Sequence, residues 1–199
     1  VKKRVFVEPS FFLLLPLLFW DSHPAELLLF LGAVLLHETG HLLALLAFGA
    51  CPRRITLSLS GAKLVTHNPY LPYKKEAIVF LSGPLAGFLG CIFAFFLLRW
   101  HFTEGGMLFF SFNLLLSLLN LLPVRGLDGG GILYALFCHF GEEYRAVRLA
   151  QALHGVSLAF LCAASLWVLK TEKNASLLIL TLSLFSESAK KRKKATTVS

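Results

Sequence analysis

Charge is scarce in this sequence, and negative charge is the scarcer sign. Only 15% of the 199 residues are Asp, Glu, Lys or Arg, with eleven acidic against nineteen basic. Soluble domains carry about 25%, so the chain does not read as a freely solvated globule. Paired cysteines are missing as well. Cys51, Cys91, Cys138 and Cys162 are scattered and form no CxxC pair, which leaves no basis for a disulfide framework. Three of the four sit in apolar blocks, where a free thiol packs as a small hydrophobe. A cleavable leader is not evident either. Val1-Lys-Lys-Arg supplies a basic flank, but Phe11–Trp20 runs into Asp21-Ser-His-Pro with no small-residue cleavage site. No internal repeat and no second soluble domain can be read from the pattern.

What fills the chain is apolar: 56% of it is hydrophobic, with nineteen Phe, and the mean hydropathy is +0.71. These residues come in blocks rather than stripes, each near the ~20 residues that cross a hydrocarbon core. The expected fold class is an all-α polytopic membrane protein with six transmembrane segments. They are placed at Val5–Trp20, Ala25–Phe48, Glu76–Trp100, Met107–Leu122, Val147–Leu169 and Ala175–Phe185. The last is short for a full span, and would tilt, lie at the interface or thin the bilayer locally. Basic residues cluster at Lys2–Arg4, Arg53–Arg54, Lys74–Lys75, Arg145–Arg148 and Lys190–Lys194. Short basic loops mark the cytoplasmic face. Alternating sides from a cytoplasmic start then puts both termini inside, in a multi-pass protein of the cell membrane. Lys170 and Lys173 fall on the outer side against this rule. The final Lys-Lys-Arg-Lys-Lys run reads as a topology signal that attracts anionic lipid, rather than as a nucleic-acid site.

Between the second and third segments the periodicity changes. Ile55, Leu57 and Leu59 alternate with Thr56, Ser58 and Ser60, and Gly61 and Lys63-Leu-Val-Thr66 follow. A period of two predicts a short membrane-associated β-hairpin over Arg53–Thr66.

The residues that carry chemistry begin with His37-Glu-Thr-Gly-His41. A spacing of four places both imidazoles on one helix face, one above the other. Such a pair suits a tetrahedral zinc ion, and Glu38 beside the first ligand can reach a metal-bound water without binding the metal. Ionisable groups at mid-membrane are costly and point to function by default. A catalytic zinc site has three protein ligands and an open position. Asp128 is the best candidate for the third, in Asn120-Leu-Leu-Pro-Val-Arg-Gly-Leu-Asp128-Gly-Gly-Gly131. Proline and four glycines in that stretch break the helix, and broken backbone at membrane depth lines a cavity or is buried in protein.

His37-Glu-Thr-Gly-His41, Ser82-Gly-Pro-Leu-Ala-Gly87 and Asn120-Leu-Leu-Pro…Leu127-Asp128-Gly129 resemble, in order, the three signatures of the site-2 protease family of intramembrane metalloproteases. The resemblance covers about Gly32–Leu133. It implies one zinc per chain held by His37, His41 and Asp128, with Glu38 as base. It also implies regulated cleavage of membrane-anchored proteins such as sigma-factor precursors or anti-sigma factors. The compact layout is similar to the sporulation branch. Asn120 matches the family Asn upstream of Asp-Gly and is expected either to orient substrate and stabilise an oxyanion or to make an interhelical hydrogen bond. Gly83, Pro84, Gly87 and Gly129 belong to the structural parts of these signatures. Gly83 and Gly87 give a small-residue face for close helix packing, and Pro84 bends its helix. The chain departs from the pattern at Gly87, where many relatives have Asn, at Arg125-Gly126, and at Gly131, where a basic residue is common.

The domain expectation is one membrane-embedded unit over 1–186, its catalytic core about 25–140, with a polybasic cytoplasmic tail over 187–199. The expected partners are a membrane-anchored or membrane-associated protein substrate, anionic lipid at the tail, and a regulatory membrane protein. Two other readings use the same residues. One is an inactive relative that binds membrane clients, against which an intact Glu38 argues. The other is a metal transporter, which would show paired repeats and broken helices in corresponding halves; no such symmetry is visible.

Overall fold

The structure is a computed structural model that describes residues 4–7, 23–50, 52–58, 61–66, 71–124, 126–141, 143–172, 178, 181–182 and 184–185. Among the described residues, three strands and five helices follow in the order β1 (Arg4–Val7), α1 (Pro24–Ala47), β2 (Pro52–Ser58), β3 (Gly61–Thr66), α2 (Tyr73–Trp100), α3 (Glu104–Asn120), α4 (Asp128–His139) and α5 (Glu143–Glu172). The basic tail lies outside the described residues.

The helices begin where the chain cannot continue as anything else. Pro24 opens α1 at a position where its missing N–H costs nothing, with Glu26 in the first turn against the positive helix end. Pro72 precedes α2. Thr103 caps α3 by accepting from the Gly106 N–H at 3.1 Å.

Among the described residues, three helices are long and apolar enough to cross a membrane: Pro24–Ala47, Tyr73–Trp100 and Val147–Thr171. Together with the relatives described below, they mark a membrane protein. The packing of α2 has the polarity that lipid imposes. Its buried face is Ala77, Gly83, Pro84, Gly87, Gly90, Cys91 and Ala94, while Leu89, Phe93 and Phe96 point outward. Hydrocarbon solvates large apolar groups as well as a protein interior does, so small residues take the contacts and let backbones approach. The helix is the hub of the molecule, packed against α1, α3 and α4.

The sheet has the order β1-β2-β3. β2 and β3 pair antiparallel from Pro52↔Thr66 to Ser58↔Gly61, with an irregularity between Pro52 and Arg54. β1 adds in parallel, Arg4↔Arg54 to Val7↔Leu57.

Several sequence expectations change here. The segment expected at Val5–Trp20 does not start as a membrane helix: Val5, Phe6 and Val7 are strand residues. Their β-branched and aromatic side chains favour a pleated surface, and the apolar run that follows hides the boundary. The rest of that segment lies outside the described residues, as does most of Ala175–Phe185. The segment at Met107–Leu122 corresponds to α3, which has 17 residues and is about 25 Å long at 1.5 Å per residue. Among the described residues, three crossings rather than six therefore meet the length and hydropathy of a span. The break around Asp128 is also narrower than the glycines suggest. Irregular backbone is confined to the stretch between Asn120 and Asp128, and Gly129, Gly130 and Gly131 are helical within α4, an element the sequence reading does not contain.

That irregular stretch is held by side chains from far along the chain. Val124 is fully buried in a cluster with Leu161 of α5 and Leu184, with Leu119, Leu122, Leu127 and Leu158 packed against it.

Candidate metal centre

His37 and His41 stand one turn apart on the face of α1 that meets α2, and both are buried. Their rings meet edge to face, 4.9 Å between centroids, which brings the two Nε2 atoms to 3.2 Å. Asp128, the first residue of α4, completes the triangle. Its Oδ2 lies 3.1 Å from His37 Nε2 and 3.2 Å from His41 Nε2. Among the described residues this is the one group of three His, Cys, Asp or Glu side chains close enough to hold a metal ion.

The geometry can be tested against what a metal needs. Four ligands at ~2.0–2.1 Å in a tetrahedron lie about 3.3–3.4 Å apart, and zinc takes imidazole and carboxylate at those lengths. The observed triangle has nearly that edge. The donor chemistry agrees. The Nδ1–H of His41 donates to the Val79 carbonyl at 2.7 Å, so the Nε2 of a neutral ring carries a lone pair. That lone pair faces a carboxylate oxygen and a second imidazole nitrogen, and a shared cation turns this convergence of electron-rich atoms into an attraction. The residues fit a divalent ion.

The surroundings leave room for the cluster by having no side chain. A Cβ placed on Gly83 would overlap His41 Nε2 and stand 2.8 Å from His37 Nε2. Gly83 is thus the wall of α2 that the two imidazole nitrogens look at. Gly40, between the two ligands on α1, rests on the Ser82 carbonyl and would put a Cβ 2.7 Å from that of Ala86. The two helices therefore cross at Gly40 and Gly83, and neither position has space for a methyl group.

Ser82 adds a second bond to the carbonyl that orients His41, its Oγ donating to Val79 O at 2.6 Å. One residue beyond Gly83, Pro84 removes the N–H that would otherwise bond the Phe80 carbonyl, which loosens the helix at this depth.

The remaining expected residues fall into place unevenly. Glu38, half-buried, follows His37 on α1. Gly87 sits one turn beyond Gly83, where an added Cβ would overlap Ser117 Oγ; its role is close packing on α3. Gly129 lies against the Leu121 and Leu122 carbonyls, which seats the first turn of α4. Asn120 is not in the cluster. Its amide donates to the Leu116 carbonyl one turn back on its own helix, at 3.0 Å, in place of the expected interhelical bond. Sequence reasoning missed Val79 because a backbone carbonyl carries no residue signature, and it gave Ser82 no role beyond its place in the second signature. It missed Gly40 because the position between two ligands reads as filler.

The fold that carries this centre is shared with a solved structure: the Site-2 Protease from Methanocaldococcus jannaschii superposes with a TM-score of 0.68 over 92% of this chain and 90% of that one, at 20% identity. In sequence the chain is similar to the Stage IV sporulation protein FB of Bacillus subtilis strain 168, 31% identical over 172 residues. That match covers 83% of this chain, and the chain spans 58% of the length of that relative. No protein-family model matches. The two likenesses, one of fold and one of sequence, agree with the resemblance carried by the three sequence signatures.

Proposed function

We propose that this chain is an intramembrane zinc metalloendopeptidase, which hydrolyses a peptide bond in or near the membrane segment of a membrane-associated protein. The observation that carries the reading is the convergence of His37 Nε2, His41 Nε2 and Asp128 Oδ2 at 3.1–3.2 Å from one another, beside a glycine and next to Glu38. The sporulation relative and the resemblance of the three sequence signatures support a regulated cleavage, of a sigma-factor precursor or an anti-sigma factor.

Bound at this triangle, zinc supplies Lewis-acid activation of a water molecule and of the scissile carbonyl. The chain's own residues do the rest. His41, held by the Val79 carbonyl, keeps its Nε2 aimed at the centre. Glu38 takes the proton of the attacking water and returns one to the departing amine. Asn120 is the candidate for contact with the substrate carbonyl, and reaches it by giving up its bond to Leu116. Gly83 keeps the α2 side of the centre free of side chains.

A substrate helix hides its carbonyls in its own hydrogen bonds, so a stretch of it must unwind before attack. The three-stranded sheet is the element suited to hold that stretch as an added strand. Since β2 is flanked on both sides, the addition takes place at an edge strand. A multi-pass placement with both termini in the cytoplasm, and lipid contact at the basic tail, complete the reading.

The deciding experiment replaces one atom of the general base. Glu38→Gln is expected to abolish cleavage of a membrane-anchored substrate in proteoliposomes while zinc stays bound at one per chain. Turnover retained by that variant sinks the proposed chemistry.

A further inference from the structure

We propose that Leu161 of α5, acting through Val124, is a positioning residue for Asp128: it clamps the irregular stretch that aims the carboxylate at the two imidazoles. The inference rests on the zinc reading above.

The two histidines position each other, since one turn of α1 carries both. Asp128 has no such help. It enters from another helix, at the end of a stretch that turns through Gly126 at φ 107°, a conformation that L side chains rarely adopt. Such a segment wanders unless something outside it holds it, and a ligand that wanders is lost, because metal–ligand distances tolerate only about 0.2 Å.

The hold is visible at Val124, whose exposure is 0% although it sits in the middle of the irregular stretch. Leu161 at 3% and Leu184 at 0% bury it. From Val124 the constraint passes to the ligand along the backbone. The Leu127 N–H donates to the Val124 carbonyl at 3.0 Å, and the Gly131 N–H donates to the Leu127 carbonyl at 3.3 Å. Leu127 thus links the clamped turn to the first turn of α4, and Asp128 is the next residue. Gly129, pressed on the Leu121 and Leu122 carbonyls, ties the same turn from the other side. A side chain on α5 that touches neither metal nor substrate therefore sets where a ligand points.

Zinc affinity measured through a double-mutant cycle tests this in the full-length detergent-solubilised protein. Leu161→Ala is expected to weaken zinc binding roughly tenfold, the low end of what loss of an outer-shell support costs. In an Asp128→Ala background it is expected to cost nothing further, because the ligand it serves is gone. Val124→Ala, a smaller truncation, is expected to follow the same pattern. Leu161→Met, which keeps the volume, should bind as wild type, and so should Phe160→Ala, whose ring is exposed beside it. Leu161→Ala with wild-type affinity overturns the proposal, and so does an equal loss in both backgrounds, which marks a general loss of fold. Wild-type protein that takes up no zinc overturns both this inference and the function it rests on, whereas zinc binding with a flat cycle overturns this inference alone.

Discussion

At the scale of single residues, the centre depends as much on a missing side chain as on the ligands. Gly83 differs from its neighbour Gly87 in what an added methyl group would strike. At 83 it would strike two imidazole nitrogens, each fixed by α1; at 87 it would strike the end of the Ser117 side chain, which can rotate away. Gly83→Ala is therefore expected to lower zinc affinity at least tenfold, as loss of ligand geometry does, with Gly87→Ala keeping its metal. Metal analysis of both purified variants checks the contrast, and equal zinc contents would remove Gly83 from the site. Asp128 is legible only through the broken helix and the family resemblance, whereas the pairing of His37 and His41 is readable from spacing alone, since i and i+4 on a helix can only share a face. Their orientation is not. The Val79 carbonyl that holds His41 lies 38 positions from it in sequence, and every residue has a carbonyl.

At the scale of elements, lipid removes the pattern that sequence reading relies on. In water a helix shows a polar face; α2 has large apolar residues outside and small ones inside, so only block length and the glycine spacing reveal it. That was enough for α1, α2 and α5. It failed for α4, whose 12 residues are too few to register as a span and whose three glycines read as a break. It failed for β1, a four-residue strand absorbed into the apolar run after it. The period-two stretch from Arg53 to Thr66 falls on the paired strands β2 and β3, and β1 shows that β2 is a central strand rather than an edge. This sharpens what the sheet is expected to do. Replacing residues 52–66 with a flexible linker is expected to raise KM for a membrane-anchored substrate at least tenfold, the cost of a lost binding surface worth about 1.4 kcal/mol. Zinc content should not change. Steady-state kinetics in proteoliposomes separate the two, and an unaltered KM would free the sheet of any part in substrate capture.

At the scale of the whole molecule, the centre joins elements that the fold otherwise connects through α2. α1 and α4 each pack on α2, and the metal triangle takes two corners from one and the third from the other. A bound ion is thus a cross-link between helices that share a neighbour. Removing zinc with a chelator is expected to lower the unfolding temperature in detergent, and adding it back to restore it. Ligand linkage sets the size: about 2.7 kcal/mol at a hundredfold excess over Kd. Asp128→Ala should abolish most of this shift. An unfolding temperature indifferent to chelation would mean that the helices need no ion to hold them together.

The Val79 carbonyl has a consequence for how this protein tolerates change. The atom that orients His41 belongs to the main chain, so no substitution at position 79 removes it as long as the helix forms. Its contribution is hidden from side-chain replacement, and position 79 should accept varied residues while His41 stays oriented throughout. The chain has thus entrusted one of its ligand contacts to the part of the molecule that point mutation cannot delete. The sensitivity that a side-chain partner would have concentrated there falls instead on the glycines and the proline that let α2 present that carbonyl.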